Sequence, residues 1–340
     1  MKRRPRTDLQ SLCARGAAFL VATAAVALAG FSFSNPPASA PPYAAHLPRF
    51  GTPRVVASPS AAPPKPTLIR ADAKLDRAGY TLVGAGALFV PASFHSEDGV
   101  FDLLVFFHGN AELVAQSVAA AKLNALVLVV NIGIGSAAYD SHYVTAAVFQ
   151  HELARVALAA KSRGLVNPRL GRLALGAWSA GYGALLRILA SDDVYDRASA
   201  VLLADALHSN FSDEHTRTVD MQRIAPIVRF ARDAAAGGKL FVMTHSEVNE
   251  FRYATTTETS NALVAAVGAY RTRTTDWPER PSFPLARSVM SAERWLEQRS
   301  EAHKGHFHVR GYRGYREDDH IAHLAQSSST VLADLVTYWK

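Results

Sequence analysis

The sequence predicts an α/β protein built on a mostly parallel sheet with helices on both faces. Three observations point there. From about Leu68, short apolar runs alternate with stretches of helical spacing. The central runs, such as "FDLLVFF" and "ALVLVV", are continuously apolar, as strands covered on both faces must be. The polar residues that could do chemistry fall at the carboxyl ends of those runs, where sheets of this kind build their sites.

Taken in order, "GYTLV" and "GALFVPA" read as a short antiparallel pair, and "FDLLVFFHG", Phe101 to Gly109, as a buried strand ending in a turn. Ala111 to Leu123 reads as a helix and "ALVLVVN" (125–131) as the next strand. Val144, Val148, Phe149, Leu153, Val156 and Ala160 then share a helical face, with Gly164 placed to end that helix. "RLALGAW" is a strand and Gly181 to Leu189 a helix. "ASAVLLADAL" and "GKLFVMTHS" are two further strands, separated by an amphipathic helical segment from Met221 to Ala235. A helix near Asn261 to Tyr270 precedes a polar excursion to Lys304, and "HFHVRGY" is the last strand. Ile321, Leu324, Ser328, Val331, Leu335 and Trp339 mark one face of a terminal helix. There is no internal repeat.

The charge is unevenly placed. The net charge is +7, yet residues 1–70 hold nine Lys/Arg and a single acid, Asp8, leaving 27 basic and 28 acidic residues for 71–340. A nucleic-acid groove on the folded domain is therefore not expected. Lys2, Arg3, Arg4, Arg6 and Arg15 precede the apolar run Gly16 to Phe31, the pattern of a secretory signal. Ala27-Leu28-Ala29 offers a small-x-small cleavage site. The run is also near the roughly 17-residue lower limit for spanning, so an uncleaved anchor is the other reading. Ser32 to Thr67 carries ten of the 17 prolines without helical or strand periodicity, which makes it an extended linker. The expected organisation is thus a signal peptide or signal anchor at 1–31, a Pro/Ala/Ser-rich linker at 32–67 and one domain at 68–340, exported to the periplasm or exterior. Any membrane contact would run through the N-terminal segment. Cys13 is the sole cysteine, so no intramolecular disulfide and no cysteine-based metal site can form.

One stretch raises the question of catalysis. "LALGAWSAGYGALL" runs a buried strand into a helix through Ser179, with Ala177 two residues before and Gly181 two after. A serine becomes a nucleophile when a strained strand-to-helix turn presents its hydroxyl, and that turn crowds both flanking positions. Both are small here, although Ala177 stands where the G-x-S-x-G pattern has glycine. A second signal is "VFFHGNAE", which ends a strand in His108-Gly109-Asn110, a turn whose amides could meet a developing oxyanion.

On these two motifs the chain resembles the α/β-hydrolase superfamily (serine esterase and lipase-like), over about Leu68 to Lys340. The resemblance implies an α/β-hydrolase fold and an HG-x turn after the third strand. It makes the amides of Asn110 and Ala180 the oxyanion donors and His108 an architectural residue. The catalytic histidine is expected between the last strand and last helix, where "REDDHIAHL" offers His320, with His323 one helical turn later as the rival. The acid more often follows the strand here read as "KLFVMTHSEVNE", which offers Glu247. Asp205, at the end of the preceding strand, completes the chain order Ser179, Asp205, His320 and is the acid expected here.

The reading that follows is an exported serine hydrolase cleaving an ester, or an amide, through an acyl-enzyme, with no cofactor and a small-molecule or lipid-like ester as substrate. Two other classes stay open: a binding protein that keeps the fold without activity, and a metallohydrolase using His303, His306, His308 and the "DDH" stretch. The glycine-rich "NIGIGSAAYDSHY" lacks the lysine of a phosphate loop and reads as a loop lining the active-site mouth.

Overall fold

Strand β3 (Val100–Phe107) shows how the molecule is layered. Its alternate side chains enter two different cores: Phe101, Leu103, Val105 and Phe107 go to one, Leu104 and Phe106 to the other. A strand with both faces buried needs apolar residues at every position, which is why this run does not alternate. The computed structural model describes residues 70–340 apart from 250 and 291–293. The signal, anchor and linker expected before Leu68 lie outside the described residues.

The chain opens with β1 (Tyr80–Val83) and β2 (Gly86–Phe89), paired antiparallel, followed by β3, α1 (Ala111–Ala120) and β4 (Leu126–Val130). Helices α2 (Ser136–His142) and α3 (Ala146–Ser162) lead to β5 (Arg169–Trp178). After α4 (Tyr182–Ile188) and α5 (Asp192–Arg197) come β6 (Ala198–Ala204) and a small hairpin, β7 (Phe211–Asp213) with β8 (Thr218–Val219). Then follow α6 (Ala225–Ala235), β9 (Leu240–His245), α7 (Thr256–Val267), β10 (Arg271–Asp276), α8 (Pro284–Val289), β11 (Gln298–Lys304) and β12 (Phe307–Tyr312). The chain closes with α9 (Glu317–Ala325) and α10 (Val331–Tyr338).

Ten strands form one sheet in the order β1-β2-β4-β3-β5-β6-β9-β12-β11-β10. The six from β4 to β12 run parallel, and antiparallel pairs close both ends. Residues of α3, α4, α6 and α7 pack into the core on one face, and residues of α1, α8, α9 and α10 into the core on the other. The architecture is α/β, a mostly parallel ten-stranded sheet with helices on both faces.

Several expectations need correction. The polar excursion before Lys304 holds two strands, β10 and β11, that extend the sheet. The β10 sequence, RTRTTD, is polar because it is an edge strand, where charge blocks further pairing, and QRSEAHK of β11 lies beside it. Half of the glycine-rich loop is helix α2, which packs so closely on α4 that a Cβ on Gly183 would come within 2.4 Å of the Ser136 carbonyl oxygen. Helix α7 starts at Thr256, ahead of Asn261, because Thr255 and Glu258 form a reciprocal capping box. The terminal helix is two helices, broken by a short 3-10 turn at Ser327–Ser329.

Candidate active site

Strained backbone marks the carboxyl ends of three central strands. Of the seven described residues other than glycine with positive φ, three, His108 (φ 70), Ser179 (φ 49) and Asp205 (φ 43), directly follow β3, β5 and β6. Each such conformation costs roughly 1–3 kcal/mol and persists only where the surroundings enforce it.

Around Ser179 the enforcement is visible. The chain leaves β5 extended at Trp178 and enters a 3-10 turn, Ser179–Gly181, that opens α4. A Cβ on Gly181 would lie 2.0 Å from the Phe107 carbonyl oxygen, so only glycine fits there. Ala177 is fully buried, and its methyl joins the core that also contains Phe107. The departure from the G-x-S-x-G pattern is thus absorbed by packing.

His320 sits in the first turn of α9, a little further into the helix than the opening loop. Its Nδ1 is 2.7 Å from Asp205 Oδ2. A carboxylate only accepts, so Nδ1 carries the proton and Nε2 of the neutral ring keeps a free lone pair. Asp205 is almost wholly buried, at 2% side-chain exposure against 22% for His320. Its Oδ1 accepts from the Ser246 amide and the Thr256 hydroxyl, both at 2.8 Å. Burial pushes the Asp205 carboxyl up, but the charge of His323, the hydrogen bond and charge of His320 and the Ser246 amide outweigh it and hold the group below the usual carboxylate range. Burial also pushes His323 down to about 4, so at neutral pH the hydrogen bonds and His320 keep Asp205 ionised.

Trp178 ties the serine turn to the histidine. Its ring stacks on His320 with centroids 4.6 Å apart, and its Nε1 donates to the His320 carbonyl oxygen at 3.1 Å. Its other neighbour is His108, stacked at 5.3 Å. His108 Nδ1 lies 2.9 Å from the Tyr139 hydroxyl, which fixes the turn after β3. Burial, then the charge of His320, pushes the His108 pKa down.

The remaining residues singled out by sequence fall as follows. Phe107 pairs with Ala177 across β3 and β5, so the turns carrying Asn110 and Ala180 emerge side by side. Asn110 caps α1 by accepting the Leu113 amide on Oδ1. Ala180 lines a cleft of about 370 Å³ together with Ser179. His323 is buried, with Nδ1 2.8 Å from the Thr244 hydroxyl and Nε2 without a partner among the described residues. Glu247 bonds Gly314 in both directions, clipping the end of β9 to the loop after β12. The structure therefore brings His320 to Asp205, whereas Glu247 holds a loop. His303 and His308 face each other across β11 and β12, and among the described residues no group of three His, Cys, Asp or Glu is arranged to hold a metal ion. His306 precedes β12, where its ring meets Tyr338 edge-on.

Sequence reasoning missed Trp178, Thr256 and the Ser246 amide. Trp178 occupies the unrestricted position of the serine motif, and the two Asp205 partners come from a turn 41 and a helix 51 residues away.

No model of a known protein family matches the sequence. No curated protein matches it either. Among solved structures, TT1662 from Thermus thermophilus is similar over 57% of this chain and 83% of its own, at 18% identity and a TM-score of 0.32.

Proposed function

We propose that the protein is a serine hydrolase that cleaves an ester, or an amide, through an acyl-enzyme on Ser179. The observation that carries this reading is the His320 to Asp205 hydrogen bond, with the His320 ring stacked on the residue just before a left-handed serine. In the proposed reaction Ser179 Oγ attacks the carbonyl carbon while His320 Nε2 takes its proton. The amides of Asn110 and Ala180 receive the negative oxygen. His320 then returns the proton to the leaving alcohol or amine, and a water molecule repeats the sequence to release the acid. Asp205 keeps Nδ1 protonated and stabilises the imidazolium that forms.

Export is part of the same proposal, resting on the basic residues and apolar run before the linker. Among the described residues no helix is long and apolar enough to cross a membrane.

A panel of p-nitrophenyl esters of increasing acyl length, assayed with the wild type and Ser179→Ala, tests the reaction. Hydrolysis that disappears in the variant supports it. Activity in Ser179→Ala within about tenfold of the wild type would rule out the serine mechanism, since nucleophile loss costs several orders of magnitude.

A further inference from the structure

The cleft beside Ser179 carries one feature that ester hydrolysis itself does not require. Its wall includes Ser136, Tyr182, His208, Asn210 and Arg223, and among the described residues no acidic side chain lines it. Among the described residues no carboxylate stands within 4.0 Å of the Arg223 guanidinium, whereas Arg187 and Arg217, on nearby elements, are paired with Asp140 and Glu258.

The backbone of Arg223 is also held in place. The Ser209 hydroxyl donates to the Asp220 carbonyl oxygen at 2.8 Å and the Asp220 amide to the Asn210 carbonyl oxygen at 2.9 Å, closing the β7–β8 hairpin. Asp220 Oδ1 then accepts the amides of Gln222 and Arg223, at 3.0 and 3.2 Å. The one carboxylate close by in sequence is thus engaged by backbone. Arg223 acts on the cleft electrostatically: burial pushes the Tyr182 hydroxyl up, and the Arg223 charge opposes that shift. Tyr182 in turn reaches Ser136 at 3.3 Å across the cleft.

We propose that Arg223 binds an anionic group on the substrate, so that the preferred substrates are short esters carrying a carboxylate or phosphate. This rests on the hydrolase reading above and deepens it. A guanidinium with no carboxylate partner among the described residues, in a recess that no described acidic side chain lines, attracts anions and recognises carboxylate or phosphate through paired N–H donors. At about 370 Å³ the cleft lies near the lower end of the roughly 300–1,000 Å³ found for small-molecule sites, which favours short chains over long lipid acyl groups.

The test compares the mono-p-nitrophenyl ester of adipic acid with p-nitrophenyl hexanoate, which differ by the terminal carboxylate. Acetate esters of phenol and of p-hydroxybenzoate distinguish an anion on the alcohol side from one on the acyl side. The wild type should favour the anionic member of one pair by about tenfold in kcat/KM, with the preference fading at high salt. Arg223→Gln should erase that ratio and Arg223→Lys restore part of it. Calorimetric titration of Ser179→Ala with adipate and with phenyl phosphate reads binding without turnover, and Arg223→Gln in that background should weaken it by about tenfold. If Ser179-dependent hydrolysis occurs with no charge preference, or with a preference that Arg223→Gln leaves intact, the anion site is refuted while the hydrolase reading stands. If neither ester is cleaved yet adipate or phenyl phosphate binds in an Arg223-dependent way, the anion site stands and the hydrolase reading fails.

Discussion

His320 Nδ1 and Asp205 Oδ2 meet at 2.7 Å although 115 residues separate them in the chain. The contact joins the first turn of α9 to the carboxyl end of β6 and buries the acid beneath the histidine. Asp205→Asn keeps the shape but removes the charge and puts a donor amide within reach of Nδ1. Ester hydrolysis should fall by roughly three to four orders of magnitude. Glu247→Gln should retain most activity, because Glu247 bonds Gly314. The reverse outcome in steady-state assays would move the acid to the end of β9.

Trp178 is expected to act as a positioning residue. Trp178→Ala removes the stack on His320 and the donor to its carbonyl oxygen. A misplaced base costs on the order of a hundredfold in rate, so kcat should drop far more than KM changes, and Trp178→Phe should recover part of the loss through stacking. Equal effects of the two variants would show that stacking plays no part.

Stability should fall in mild acid. Burial, more than any neighbouring charge, pushes His245 and His323 down to about 4. Unfolded histidine titrates near pH 6.5, so as pH falls from about 6.5 to about 4 the unfolded chain binds more protons than the folded one and gains stability. Each histidine contributes up to roughly 3 kcal/mol of loss over that window. Asp205, held below the usual carboxylate range, adds a loss only below its unfolded value of about 3.9. Urea unfolding across this range should show the decline, and His323→Gln should flatten part of it. A stability that stays constant down to about pH 4 would contradict the assignment.

Gly181→Ala should be strongly destabilising. Its methyl would sit 2.0 Å from the Phe107 carbonyl oxygen and 2.9 Å from the Phe107 Cβ, so β3 or the serine turn must move. A loss of about 1–3 kcal/mol or more is expected in urea melts, with hydrolysis impaired even in the fraction that stays folded. Ala177→Gly should instead cost about 1 kcal/mol, the ordinary price of glycine inside a strand or helix.

The central strands were legible because burial on both faces forces continuous apolar runs, as in β3 and β4. Edge strand β10 was not, since its exposed threonines and arginines carry no period that separates strand from loop. Ser179 could be read from its small neighbours, whose crowding is a local property. The surroundings of Asp205 could not: Ser246 and Thr256 reach it only after β9 and α7 have packed, and local spacing holds no trace of that. Trp178 was hidden for a related reason, because its partners His108 and His320 come from opposite ends of the domain.

The most direct measurement is covalent labelling. The purified protein is incubated with a fluorophosphonate probe, its intact mass is recorded, and the modified peptide is sequenced by mass spectrometry. One adduct per chain on Ser179 is expected, lost in Ser179→Ala and strongly slowed in His320→Ala, because the hydroxyl needs His320 to take its proton. An unlabelled protein, or a label on another residue that survives Ser179→Ala, would contradict Ser179 as the nucleophile.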